Sequence, residues 1–227
     1  MRKLRLLSTL LAFTMSVYAF DFARESSFQN ACDKGDAQAC LDLGIMYHLG
    51  DGVSQNFKHA RSLYEQACKM GLGEGCETLG YMYENGHAGT NYAKASELYL
   101  KGCELGRASA CASLAKLYEN GTGVEEDMQQ AVDFYDKACD GGDGRSCAHL
   151  GLLYDQDDND TYAAMYYQKA CDAKDADACS TLGIMYMNGK GVNTNAQKAY
   201  ELFQQACKLG NEIGCKNYES MKNSSWY

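Results

Sequence analysis

The sequence predicts an all-α fold, a right-handed α/α solenoid of stacked helix pairs that are stapled by disulfides. Two observations support this class. Twelve cysteines recur as pairs eight residues apart, whose first members repeat at steps of 36, 35, 36, 32 and 36 residues. Between the pairs, apolar residues recur with helical spacing. A fixed period of roughly 20 to 50 residues is typical of repeat proteins built from one supersecondary unit.

Each repeat contains two helical stripes and a loop. The first stripe reads C-x2-L-G-x2-Y, as in the segment that begins at Cys76, and in one copy alanine replaces the glycine. The second stripe reads A-x2-L-Y-x2-A-C, as in the segment that begins at Ala60. Glycine inside a helix costs about 1 kcal/mol relative to alanine, so its recurrence predicts a close helix crossing. Three of the loops read G-x-G-V and begin at Gly50, Gly121 and Gly189.

The cysteine spacing predicts which cysteines are bonded. Positions eight apart in one helix are separated by about 12 Å, whereas a disulfide needs Cα atoms within about 7 Å. Each pair therefore straddles a turn and joins the second helix of one repeat to the first helix of the next. The expected pairs are Cys32 with Cys40, Cys68 with Cys76, Cys103 with Cys111, Cys139 with Cys147, Cys171 with Cys179, and Cys207 with Cys215.

The alternative role for so many cysteines is metal binding. The sequence has no C-x2-C pair, and its four histidines are scattered along the chain, which argues against a zinc site. We therefore expect no metal and no cofactor. Paired cysteines also leave no thiolate for nucleophilic catalysis.

Composition and charge exclude several classes of protein. The chain is 46% hydrophobic and 22% charged, which is typical of a globular protein and not of collagen, coiled-coil or disordered classes. A net charge of −9 argues against nucleic-acid binding, because such proteins need a basic patch that displaces phosphate counterions.

Residues 1–19 have the order of a secretory signal peptide. A positive cluster that begins at Arg2 precedes an apolar run, and Val17 and Ala19 are small residues at the cleavage positions. The alternative is a membrane anchor, but the run is too short to span a bilayer. The expected location is the periplasm or the cell exterior, with no membrane attachment after cleavage.

The remaining chain, residues 20–227, is predicted to be a single repeat domain. The expected repeats are about 40–75, 76–110, 111–146, 147–178 and 179–214, with half-repeats at 21–39 and 215–227.

The two stripes and the G-x-G-V loop resemble Sel1-like repeats, which are relatives of the tetratricopeptide repeat. With a cysteine pair at each junction behind a signal peptide, the chain is similar to the Helicobacter cysteine-rich protein family. The resemblance covers nearly all of residues 21–227. It implies a secreted or periplasmic protein that binds β-lactams, with weak β-lactamase activity and interactions with host cells. It supplies no short catalytic motif for this sequence.

One segment has the spacing of a serine β-lactamase pair. Ser113 and Lys116 are three residues apart in a predicted helix, so that the amine could activate the hydroxyl. The companion S-D-N and K-T-G motifs are absent from the sequence. A lone S-x-x-K also arises by chance in many chains, so these two residues are weak catalytic candidates.

The architecture favours a different function, that of a non-enzymatic scaffold. The first helices of a solenoid line a concave face that suits extended ligands, and the expected ligands are peptides, host proteins, β-lactams or peptidoglycan fragments. A methionine-rich stripe on this face is either an adaptable binding surface or core between repeats. The positions expected to be exposed are Asp42, Met46, Thr78, Met82, Ser113, Leu117, His149, Leu153, Thr181 and Met185.

Four asparagines, three at helix ends and one in a loop, each have a functional and a structural interpretation. Asn85, Asn120 and Asn188 each precede a glycine at a helix end, where they either bind a peptide backbone or cap the helix. Asn159 lies in an N-x-T sequon in the acidic loop that replaces the glycine loop of the fourth repeat. An acid two residues before it resembles the extended bacterial glycosylation site; the alternative is a solvated acidic loop.

Overall fold

The computed structural model describes residues 22–87 and 89–223, and within these ranges the chain is helical and contains no strand. The predicted all-α fold is thereby confirmed. The residues of the predicted signal peptide lie outside the described ranges. The helices are α1 (22–33), α2 (Ala37–Leu49), α3 (Phe57–Lys69), α4 (Gly73–Glu84), α5 (Tyr92–Glu104), α6 (Ala108–Asn120), α7 (Met128–Asp140), α8 (Gly144–Gln156), α9 (Asp160–Asp172), α10 (Ala176–Asn188), α11 (Ala196–Lys208) and α12 (Glu212–Asn223).

Short polar side chains determine where the helices begin. The second helices of four repeats start after an Asn or Asp whose side chain accepts a hydrogen bond from the backbone N–H three residues on. Asp36, Asp143 and Asp175 cap α2, α8 and α10 in the same way. Such a cap satisfies an N–H that has no partner inside the helix. Turn chemistry between the helices therefore sets their boundaries.

The glycine of the first stripe allows the two helices of a repeat to approach closely. A Cβ atom at Gly44 would lie 2.5 Å from the ring of Tyr64, and one at Gly183 would lie 2.6 Å from the ring of Phe203. The same contact recurs between Gly151 and Tyr167. The predicted close crossing of glycine against an aromatic ring is therefore present in several repeats.

The chain divides into two compact units. The first runs to Arg107 and includes Thr122–Val124, and the second comprises Ala108–Gly121 and the residues from Glu125 onward. In the first unit, leucines and tyrosines of α2 and α3 pack with Met82 in one buried cluster. In the second unit, Phe203 and Met221 close the end of the helix stack.

Disulfides join the end of a second helix to the first turn of the following helix. Their Cα–Cα distances lie between 4.3 and 4.7 Å, and Cys103 and Cys111 are disulfide-bonded as well. No free cysteine occurs among the described residues. Disulfides in this number indicate an extracytoplasmic protein, because the cytosol keeps thiols reduced. The bonded pairs include Cys32–Cys40, Cys68–Cys76, Cys139–Cys147, Cys171–Cys179 and Cys207–Cys215.

In two of the G-x-G-V loops, the second glycine packs against the first residue of the second helix of the preceding repeat. A Cβ atom at Gly123 would lie 2.4 Å from the backbone carbon of Tyr92, and one at Gly191 would lie 2.0 Å from the backbone oxygen of Asp160. Both glycines have positive φ angles, 75° and 69°. The loop thus contacts the neighbouring repeat through a position that has no room for a side chain.

Candidate functional site

The first helices expose a large side chain at one recurring position, the residue after the stripe glycine or alanine. In the first unit these residues are Ile45 and Tyr81, which are 37% and 49% exposed. In the second unit they are Leu152 and Ile184, which are 44% and 41% exposed. Lys116 occupies the same position of α6 and is also exposed. We call this recurring position the exposed column of each unit.

The methionine-rich stripe, by contrast, belongs to the core. Met46, Met82, Leu117 and Met185 are all at most 4% exposed, so the expectation that they are exposed was wrong. Each lies three residues after the stripe leucine, as Met46 follows Leu43, and this spacing places both on one helix face. That spacing was a usable signal in the sequence. The other positions expected to be exposed are partly buried, namely Asp42, Thr78, Ser113, His149, Leu153 and Thr181.

A polar cluster lies on the second unit where α6, α7 and α8 meet. The Glu119 carboxylate accepts a hydrogen bond from the Tyr135 hydroxyl at 2.7 Å, and its other oxygen lies 2.9 Å from Nε2 of His149. The ring of His149 packs edge-on against Tyr135, with ring centroids 4.7 Å apart. Burial and, secondarily, the hydrogen bond to Glu119 raise the pKa of Tyr135. The carboxylate therefore links three helices.

Acidic residues at the same position of other repeats make comparable contacts. In the first unit, the Tyr99 hydroxyl donates to Glu84 at 2.6 Å. In the second unit, Asp155 accepts a hydrogen bond from Lys190 at 2.7 Å. The acidic residue after the stripe tyrosine thus ties its helix to another helix, as Glu84 does, or to a loop, as Asp155 does, which favours a structural role for Glu119. Helical spacing does not reveal these contacts, because each joins a helix to a residue of another helix or loop.

The two weak catalytic candidates share α6. Ser113 is partly buried and Lys116 is exposed. Within residues 22–87 and 89–223, no hydrogen bond joins the Ser113 hydroxyl to the Lys116 ammonium. The helix therefore holds the two residues on neighbouring turns without forming the contact that a serine–lysine pair uses when the amine activates the hydroxyl.

Two of the asparagines at helix ends cap their own helix. The Asn85 side chain donates to the carbonyl of Tyr81 at 3.0 Å, and the Asn120 side chain donates to the carbonyl of Lys116 at 2.7 Å. These hydrogen bonds favour the capping interpretation at both positions. In the part of the chain that the structure describes, no group of three or more His, Cys, Asp or Glu residues is arranged to hold a metal ion.

Comparison with solved structures places the fold among bacterial repeat proteins. A Sel1 repeat protein from Oxalobacter formigenes is 25% identical, with 95% of this chain and 86% of that chain covered and a TM-score of 0.67. A protective antigen present in uropathogenic Escherichia coli strains is 26% identical, with a TM-score of 0.66. That match covers 88% of this chain and 52% of the antigen, so this chain spans about half the antigen's length.

A third similar structure is Helicobacter pylori cysteine rich protein B. It is 29% identical, the match covers 74% of this chain and 98% of that chain, and its TM-score is 0.28. No curated protein matches the chain. The family model for the Sel1 repeat matches five times, at residues 37–72, 74–106, 108–143, 144–175 and 176–211. These matches cover most of the sequence, and the chain belongs to the Sel1 repeat family.

Proposed function

We propose that this protein is a disulfide-stapled scaffold, secreted or periplasmic, that binds a peptide or protein partner on its first helices. The observation that carries the proposal is the exposed column. In the second unit, Leu152 and Ile184 occupy the same position of successive first helices and face solvent, while Gly151 and Gly183, which directly precede them, are buried. Exposed apolar side chains at repeat spacing are typical of a surface that recognises an extended ligand.

The second unit also has a rigid frame for such a ligand. The first helices that carry Leu152 and Ile184 are each held by a disulfide at their first turn, Cys147 in α8 and Cys179 in α10. A surface that is ordered before binding loses less conformational entropy when the ligand docks. The net charge of −9 favours partners that carry positive charge, because long-range attraction speeds their encounter.

No described helix is long and apolar enough to cross a membrane. A location outside the cytoplasm allows several partner classes, which are secreted peptides, host proteins and cell-wall fragments. We favour a peptide or protein, because the exposed column is apolar at Leu152 and Ile184 and the Glu119 carboxylate of α6 is already engaged with Tyr135 and His149. Peptidoglycan fragments and β-lactams serve as comparison ligands.

Binding is expected to fail when the exposed column becomes charged. Peptides are first selected against the oxidised protein from a random library displayed on phage, and their affinity is then measured by calorimetry. The double variant Leu152→Asp and Ile184→Asp should bind them about 100-fold more weakly, because burying each aliphatic side chain contributes roughly 1.5 kcal/mol or more and 1.4 kcal/mol is tenfold.

The matched control changes apolar residues of similar exposure outside the exposed column. Met165 in α9 is 42% exposed and Leu209 after α11 is 38% exposed, so Met165→Asp with Leu209→Asp adds the same charge to the same unit. This control should keep the affinity of the unchanged protein. Equal affinity of both double variants would contradict a binding site at the exposed column.

Hydrolysis of β-lactams is the second candidate function, which the family resemblance implies and the placement of Ser113 and Lys116 on one helix allows. A scaffold should give no turnover of a chromogenic cephalosporin above the background rate, either before or after Ser113→Ala. The matched control is Ser109→Ala, a serine of the same helix. Turnover that Ser113→Ala removes and Ser109→Ala retains would overturn the scaffold proposal in favour of a serine hydrolase.

A further inference from the structure

The short loop between α8 and α9 carries a potential site of covalent modification. Asn159 is followed by Asp160 and Thr161, an N-x-T acceptor sequence, and Asp157 lies two residues before it. The side chains of Asp157, Asn159 and Thr161 are exposed. We propose that Asn159 is an N-linked glycosylation acceptor that receives an oligosaccharide from a lipid-linked donor outside the cytoplasm.

Asn159 occupies a helix-capping position without acting as a cap. In the four other repeats the residue before the second helix is Asn56, Asn91, Asp127 or Asn195, and its side chain accepts a hydrogen bond from the helix backbone. The side chain of Asn159 makes no such bond. Asparagine in this position is ordinarily explained by capping, and that explanation does not apply to Asn159.

The backbone conformation at Asn159 differs from that at the capping residues. The Asn159 N–H donates to the Tyr154 carbonyl at 2.9 Å, as the Asn195 N–H donates to Tyr186 at 2.9 Å, so the two residues occupy equivalent places. Their torsion angles differ, with φ −94° and ψ 62° at Asn159 but φ −152° and ψ 95° at Asn195. The shortened loop reaches this place through Asp158 at φ 55°. The missing cap at Asn159 therefore coincides with a backbone conformation that differs from that of the capping residue Asn195.

Two other sequons in the chain provide internal comparisons. The sequence N-G-T begins at Asn120 and N-S-S begins at Asn223, and the residues two before them are Tyr118 and Met221. Neither has the acid that Asp157 supplies to Asn159. The Asn120 amide also donates to the carbonyl of Lys116. Only the site at Asn159 combines an acid two residues before it with an exposed amide that is not used as a cap.

The reaction can be written without any redox step. The Nδ2 atom of Asn159 attacks the anomeric carbon of an oligosaccharide that is linked to a lipid pyrophosphate. The new bond joins Nδ2 to that carbon, and the bond from the carbon to the pyrophosphate oxygen breaks. The lipid pyrophosphate leaves with the electron pair, and the proton lost from Nδ2 goes to a base of the oligosaccharyltransferase. The donor and the transferase are the co-reactants, and both act outside the cytoplasm, where the disulfides also form.

Mass spectrometry of the protein isolated from its native cells tests the proposal. We expect the intact mass to exceed the mass of the oxidised chain of residues 20–227 by one oligosaccharide, and the tryptic peptide that contains Asn159 to carry it. The variants Asn159→Gln and Asp157→Ala, produced in the same cells, should lose the added mass. The variant Asn120→Gln should retain it. These variants change exposed residues, so we expect each protein to fold. A circular dichroism spectrum of each variant checks this before its mass is compared.

Two results would overturn the proposal. An unmodified Asn159 peptide from the native cells would mean that the exposed asparagine is only a loop residue. An oligosaccharide on Asn120 or Asn223 with Asn159 unmodified would mean that neither the nearby acid nor the uncapped amide selects the site. Neither result bears on the exposed column, so the proposed binding function and this modification can fail separately.

Discussion

Reduction of the disulfides is expected to unfold most of the helices of this protein. All described cysteines are bonded, and the bridges join residues eight apart, as Cys68–Cys76 does. In the chain-entropy model, closing such a short loop stabilises the folded state by roughly 2–3 kcal/mol. Because a whole domain is stable by only about 5–15 kcal/mol, the bridges together are comparable in size with the total stability.

Far-UV circular dichroism during urea unfolding, with and without reductant, measures this effect. We expect the oxidised protein to resist urea and the reduced protein to lose helical signal at little or no urea. An unchanged urea midpoint in reductant would show that helix packing alone supports the fold.

Two double variants distinguish the effect of a disulfide on the entropy of the unfolded chain from its effect on the packing of nearby helices. Cys139→Ala with Cys147→Ala removes an internal bridge, and Cys207→Ala with Cys215→Ala removes the bridge to the last helix. Both loops have the same sequence separation, so the entropic loss is the same. In a repeat protein each unit contacts only its neighbours, so the terminal variant should release α12 alone, while the internal variant should weaken the helices on both sides.

Gly191→Ala is expected to lower the free energy of unfolding by about 2–5 kcal/mol. A residue with a Cβ atom at a left-handed position costs about 1–2 kcal/mol, and forcing an extra carbon into a filled space costs about 1–3 kcal/mol more. The new carbon would meet the backbone oxygen of Asp160 at 2.0 Å. Backbone atoms cannot rotate aside as a flexible side chain can, so the whole loop has to move.

The control for this variant is a glycine with a positive φ and free space around it. Gly210 has φ +95° and a Cβ atom there would meet nothing within 4 Å, so Gly210→Ala carries the conformational cost without the clash. Urea unfolding of the oxidised variants should show the larger loss for Gly191→Ala. Equal losses would mean that the loop adjusts and that its contact with α9 contributes little.

Much of this fold could be predicted from the sequence by itself. The cysteine period defined the repeats, the spacing of eight required each bridge to cross a turn, and the glycine of the stripe predicted a close crossing. These features depend on local geometry: the rise of a helix, the reach of a disulfide and the size of a glycine. The contact between the ring of Tyr64 and Gly44 confirms the predicted close crossing.

Only the tertiary structure decided where the outer edge of the buried stripe lies on each first helix. Met46 and Ile45 are adjacent in sequence, yet Met46 is 4% exposed and Ile45 is 37% exposed. An apolar stripe on a helix is at least about 100° wide, so its outer edge depends on how far the helix is rotated against its neighbours. The contacts of Glu119 and the missing cap at Asn159 depend likewise on side chains and backbone torsions from separate elements. Helical periodicity therefore determined the repeats, and packing between helices determined the surface that they expose.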